Sequence, residues 1–71
     1  MIERKGSDTV MPGDEMQRIL QTMGCDTSEG QVQFVAQAAN VSAAGVRSAV
    51  AGRWLYRREW DLLARELGII V

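Results

Sequence analysis

The segment Phe34-Val35-Ala36-Gln37-Ala38-Ala39-Asn40-Val41-Ser42-Ala43-Ala44-Gly45-Val46-Arg47-Ser48-Ala49 contains two apolar helical patterns with a single break between them. Two helices that cross steeply over a turn of three or four residues impose four demands on a sequence. The first helix needs a small side chain where the second passes over it, and Ala36 is there. The turn needs a residue that tolerates the left-handed backbone, and Asn40 does. An apolar residue should follow and plug into the core, as Val41 can. Two further apolar residues must face inward from the second helix, and Val46 and Ala49, with Val50 beside them, meet that demand.

Working outward, Ser28 and Gln31 read as a capping box that starts the first of these helices. Val32, Val35, Ala36 and Ala39 form its apolar stripe, which Phe34 and Ala38 widen. Ser42 caps the second helix, predicted over about 42–51. Its interior Gly45 costs about 1 kcal/mol relative to alanine, so a packing reason is expected. Upstream, Met16, Ile19, Leu20 and Met23 recur at helical spacing. They predict a helix over about 13–23, with Asp14 and Glu15 at the positive end of its dipole and Gly24 as terminator. Downstream, Trp60, Leu63, Ala64 and Leu67 predict a last helix over 57–67 ended by Gly68. Trp54, Leu55 and Tyr56 read as a connection pinned into the core by its aromatics, and Trp60 reads as core too. Residues 1–12 read as a flexible arm, whose Arg4 and Lys5 could touch a phosphate backbone. The fold class expected is all-α: a four- to five-helix bundle occupying residues 13–71. The apolar 69–71 tail needs no sheet to explain it.

Charge is unevenly spread. Residues 1–40 hold three basic and six acidic side chains, whereas residues 41–71 hold five basic and three acidic. No carboxylate occurs between Gly30 and Arg58, a window that holds Arg47, Arg53, Arg57 and Arg58. Such an excess in a chain of net charge −1 marks either a nucleic-acid face or a solvated basic surface.

Other chemistries are poorly supplied. The chain has one cysteine, Cys25, and no histidine, so neither an internal disulfide nor a zinc site of about four ligands is available. Cys25 has no histidine to activate it, and the adjacent Asp14 and Glu15 diverge on a helix. No glycine-rich phosphate loop occurs. The expectation is therefore a non-enzymatic protein without cofactors. There is no run of about 18 apolar residues to span a membrane and no signal-peptide core, and the lone cysteine suits a reduced cytoplasmic setting.

With these residues in place, the chain resembles the phage CI-type repressor and Cro-like helix-turn-helix family over roughly residues 13–70. The resemblance implies a lambda-repressor-like DNA-binding domain of a phage or prophage transcriptional regulator, acting on double-stranded DNA in a bacterial cell or phage-infected host. It implies a homodimer formed through a C-terminal segment such as 67–71 or through a further domain. By position, the groove-facing residues would be Ser42, Ala43, Ala44, Arg47 and Ser48, of which only Arg47 can make a bidentate guanine contact. Gln31, Gln37, Arg53, Arg57 and Arg58 would hold phosphates, which fixes register without carrying sequence information. The chain departs from the family pattern in having Asn40 where glycine is usual, no proline after the third helix, and few polar side chains on the reading face. A protein-interaction or phage-assembly module of the same shape is the alternative. For Arg57 and Arg58, pairing with Glu59 or Asp61 is a second possibility.

Overall fold

The computed structural model describes residues 8–69. Arg4 and Lys5, and the Ile70 and Val71 part of the tail, lie outside the described residues. Six elements follow in order: β1 (Thr9–Val10), α1 (Asp14–Thr22), α2 (Glu29–Ala39), α3 (Ala43–Val50), β2 (Leu55–Tyr56) and α4 (Arg57–Leu67). The result is a mostly helical domain of four helices with a small two-stranded sheet, and the all-α expectation is corrected by that sheet. Its strands are antiparallel, Thr9 facing Tyr56 and Val10 facing Leu55. The flexible-arm reading therefore fails at its inner end: Thr9 and Val10 are paired, and Pro12 is buried. The Trp60 indole N–H donates to the Pro12 carbonyl at 3.0 Å, tying this end of the chain to α4.

One core serves all four helices. Met16 and Leu20 enter it from α1, Val32, Val35, Ala36 and Ala39 from α2, Val46, Ala49 and Val50 from α3, and Leu63 and Ala64 from α4. Val41 packs half-buried against it, as do Trp60, Leu67 and Ile69. α3 lies against both α1 and α2, and α2 also meets α4. Phe34 and Ala38 do not widen the α2 stripe: both are exposed. Phe34 sits one residue before the buried Val35, and a step of about 100° per residue carries it off the packed side.

The connection between α3 and α4 corrects a second expectation. Its anchor is aliphatic, with Leu55 buried and Trp54 and Tyr56 both more than half exposed. The cause is the strand: side chains alternate in direction along β2, so an inward Leu55 forces its neighbours outward.

Helix ends explain the turns. Each of the four helices closes with a left-handed residue and paired backbone bonds back into its last turn. At α2 this residue is Asn40, with φ 62° and ψ 43°. Its N–H bonds Gln37 O, and the Val41 N–H bonds Ala36 O. Elsewhere glycine does this work, and Asn40 is the one described non-glycine residue with positive φ. Asn40→Ala should therefore cost about 1 kcal/mol, while Asn40→Gly should leave stability unchanged or slightly higher. Urea denaturation of the two variants checks this, and equal losses for both would mean that the asparagine side chain, not the backbone, matters.

Candidate nucleic-acid interface

The outer face of α3 is shaped first by its N-terminus. Ser42 is the cap: its Oγ accepts from the Gly45 N–H at 3.0 Å. The same hydroxyl donates to Glu59 Oε2 at 2.8 Å, and the Ser42 N–H donates to that oxygen at 3.3 Å. A carboxylate at this end of a helix meets unsatisfied N–H groups and a favourable dipole. Glu59 is thus drawn across α3 and lies over the buried Gly45. A Cβ there would lie 2.6 Å from Glu59 Oε1.

The five expected base-contact positions are not equivalent. Ala44 is fully on the surface, whereas Ala43 is half-buried and packs against the core. Ser48 is half-buried, and Ser42 is committed to its cap and to Glu59. Arg47 is exposed but engaged. Its Nε donates to Glu29 Oε1 at 3.3 Å, and its Nη2 forms an ion pair with Glu29 Oε2. Gln33 completes the cluster by donating to Glu29 Oε2 at 3.0 Å. The first residue of α2 thus holds the one bidentate cation of α3, over a pair whose side chains are 51% and 57% exposed. An exposed pair of this kind is a weak clamp.

The pair has a titration signature. Hydrogen bonds from Arg47 and then from Gln33 stabilise the ionised carboxylate and hold Glu29 below its ordinary 4.5. Because the folded chain favours the charged form, this support is present above the ordinary carboxylate value and is lost as pH falls through the lowered one. In Arg47→Met the main cause disappears, so Glu29 should titrate upward toward 4.5. Carboxyl-carbon NMR across an acid titration reads this directly, and an unmoved Glu29 would mean that the pair does not persist in solution.

Of the expected phosphate contacts, Gln31 is otherwise occupied. Its backbone N–H does bond the Ser28 Oγ at 3.3 Å, but its side-chain amide donates to Met23 O at 3.0 Å instead of returning to Ser28. Only half of the capping box forms, because the amide finds a carbonyl orphaned by the end of α1. Gln37, Arg53, Arg57 and Arg58 are all exposed. Among the described residues the arginines at 53, 57 and 58 have no ion-pair partner, and Glu59 turns to Ser42 rather than to either neighbour. No group of three metal-ligating side chains assembles among the described residues.

Sequence reasoning gives no role to Glu29, pairs Glu59 with the wrong partners and turns Trp54 and Tyr56 inward. The carboxylates act on α3 across 18 and 17 residues, a separation for which local spacing carries no signal. The aromatics did leave one, the out-in-out alternation at 54–56. Their rings meet edge to face at 5.6 Å between centroids and 78° between planes. They wall a small recess of about 140 Å³ lined across from them by Ser42, Ala44, Gly45 and Ser48 at α3 and by Glu59 of α4.

No family model, curated protein or solved structure matches this chain. No helix among the described residues is long and apolar enough to cross a membrane.

Proposed function

We propose that this chain is a helix-turn-helix DNA-binding domain of the lambda-repressor-like kind, non-enzymatic, reading duplex DNA with α3 as part of a cytoplasmic phage or prophage transcriptional regulator. The observation that carries this reading is the α2–α3 pair. Its turn of Asn40, Val41 and Ser42 is closed by a left-handed asparagine, and α3 shows Ala44 and Arg47 outward while Val46 and Ala49 are fully buried. Arg47 would exchange Glu29 for a guanine edge. Arg53, Arg57 and Arg58, exposed and without ion-pair partners among the described residues, would take phosphates. Bases read by Arg47 and Ala44 alone would give modest discrimination per half-site, so a two-fold dimer with reading helices about 34 Å apart would supply the rest. Leu67 and Ile69 pack on the core of this chain, which leaves less of the 67–71 stretch for such a dimer.

The test is selection from a random duplex library at two salt concentrations. Release of counterions from several phosphates should make affinity fall steeply as salt rises. An enriched, two-fold-related site would establish a sequence-specific reader. Absence of salt-dependent binding at a concentration where the chain is dimeric would end this reading.

A second reading, a protein-interaction or phage-assembly module, is favoured by the internal engagement of Arg47 by Glu29 and of Ser42 by Glu59. It predicts self-association without nucleic acid, which sizing chromatography detects.

A further inference from the structure

Among the described residues four large apolar side chains remain exposed: Met11, Phe34, Trp54 and Tyr56. Three of them share one place. With Thr9 opposite Tyr56 and Val10 opposite Leu55, the register continued by one residue sets Met11 opposite Trp54. Leu55 is buried and Val10 packs against the core, so Met11, Trp54 and Tyr56 fall on the outward side of the ribbon. Apolar side chains gathered on one exposed face mark a contact surface more often than scattered ones do. A depression adjoins this ridge: an open groove of about 740 Å³, lined by Tyr56 from β2 and by the half-buried Leu62 from α4. Its charges are balanced, with Asp8, Glu59 and Asp61 against Arg57, Arg58 and Arg65. Glu59 is turned to Ser42, and the other five have no ion-pair partner among the described residues.

We propose that this ridge and groove are the surface on which a second copy of the chain docks, the two related by a two-fold axis. Two observations select that occupant. The first is shape. A two-fold contact presents the same patch from both sides, so it needs a protrusion beside a depression, each filling the other's. Tyr56 belongs to both, standing on the ribbon and lining the groove. The second is charge. A strongly acidic or strongly basic partner would meet as many like charges here as opposite ones, whereas a rotated copy answers both signs with both signs. The net charge of −1 also opposes self-association very little. Three half-exposed apolar side chains inside a charged rim suit the low end of interface sizes, about 1,200 Å² in total or less. The pair should therefore dissociate in the micromolar range. Arg47 lines neither the groove nor the recess, so the inference stands apart from the DNA reading. It also moves the two-fold contact away from the 67–71 stretch.

Sedimentation velocity of the full chain, from micromolar to millimolar and without nucleic acid, should show monomer passing to dimer and to nothing larger, because a two-fold contact closes on itself. Labelled with 5-fluorotryptophan, the chain gives one fluorine NMR signal from Trp54 and one from Trp60, assigned with Trp54→Phe. The Trp54 signal should move on dilution, while that of Trp60, half-buried with its N–H on Pro12, should stay. Tyr56→Ala should weaken pairing at least about tenfold. Charge supplies a test that misfolding cannot imitate. Arg57→Glu with Arg58→Glu leaves Arg65 as the one cation of the groove, and Asp8→Lys with Asp61→Lys leaves Glu59 as its one anion. Each double variant should stay monomeric alone, and the two mixed should form a one-to-one heterodimer. A wild type that is monomeric at millimolar concentration overturns the inference, as does one that grows beyond a dimer. So do charge variants that fail to recover pairing when mixed, or a dimer that survives Tyr56→Ala and is lost on Phe34→Ala, which would put the contact on α2. Arg47→Glu should pair like wild type, so failure of this inference and failure of the duplex reading are told apart.

Discussion

Arg47→Glu is expected to abolish duplex binding, and Glu29→Gln to strengthen it. The two changes act on one guanidinium from opposite sides. In the wild type, Arg47 is forked onto Glu29 and must leave it to reach a base edge. Removing the charge of Glu29 removes the competitor, so affinity should rise several-fold. Reversing Arg47 does more than delete a contact. It places a carboxylate on the helix face that would approach the phosphates in the proposed complex, next to Glu29, with no cation left between them. A lost bidentate guanine contact alone is worth roughly ten- to a hundredfold, and added repulsion takes binding beyond that. Both side chains are about half exposed, so circular dichroism should show both variants folded. Anisotropy titrations on a fluorescent duplex measure the effect. Were Arg47→Glu to bind as tightly as wild type, α3 would not be the reading element, whatever else the chain does with DNA.

Leu63→Ala is expected to produce the largest loss of stability of any single change considered. Leu63 is fully buried where α4 closes the core, and truncating such a leucine costs about 2–5 kcal/mol. A domain of this length holds on the order of 4–10 kcal/mol in total, so the variant would lose a large part of it and melt at least about 10 °C lower. Phe34→Ala removes a larger apolar side chain from an exposed position and should be nearly silent. Urea midpoints for the pair, with unchanged slopes, test the assignment of inside and outside. A comparable loss in both variants would mean that the exposed face of α2 is covered in solution.

Much of this architecture was legible from local chemistry. The last helix runs over the expected 57–67, because apolar spacing and a terminal glycine are both written in adjacent residues. The caps at Ser28 and Ser42 and the turn at Asn40 were legible for the same reason. What escaped is non-local. A strand of two residues has too short a pattern to be recognised alone, and Thr9–Val10 becomes a strand only through a partner far along the chain. Side-chain size points Trp54 and Tyr56 inward, but the alternation set by Leu55 decides direction, and size does not. The candidate site was legible as a list of positions and illegible as chemistry. Spacing put Arg47 on the outer face of α3, whereas only the packing of α2 on α3 brings Glu29 to it. The same holds for Ser42, whose second partner arrives from α4.

Cys25 is buried in the core just beyond α1, and burial, with Asp26 nearby, pushes its thiol above the ordinary 9.0. A thiol in that state is inert to alkylating reagents until the surrounding helices part. The molecule therefore carries its own clock. The rate at which Cys25 is labelled counts the openings of the core in unmodified protein, one residue at a time. A ligand that grips the closed form slows that clock in proportion to its occupancy. Labelling of a single native sulfur would thus report duplex, peptide or partner binding before anything is known of where the ligand sits.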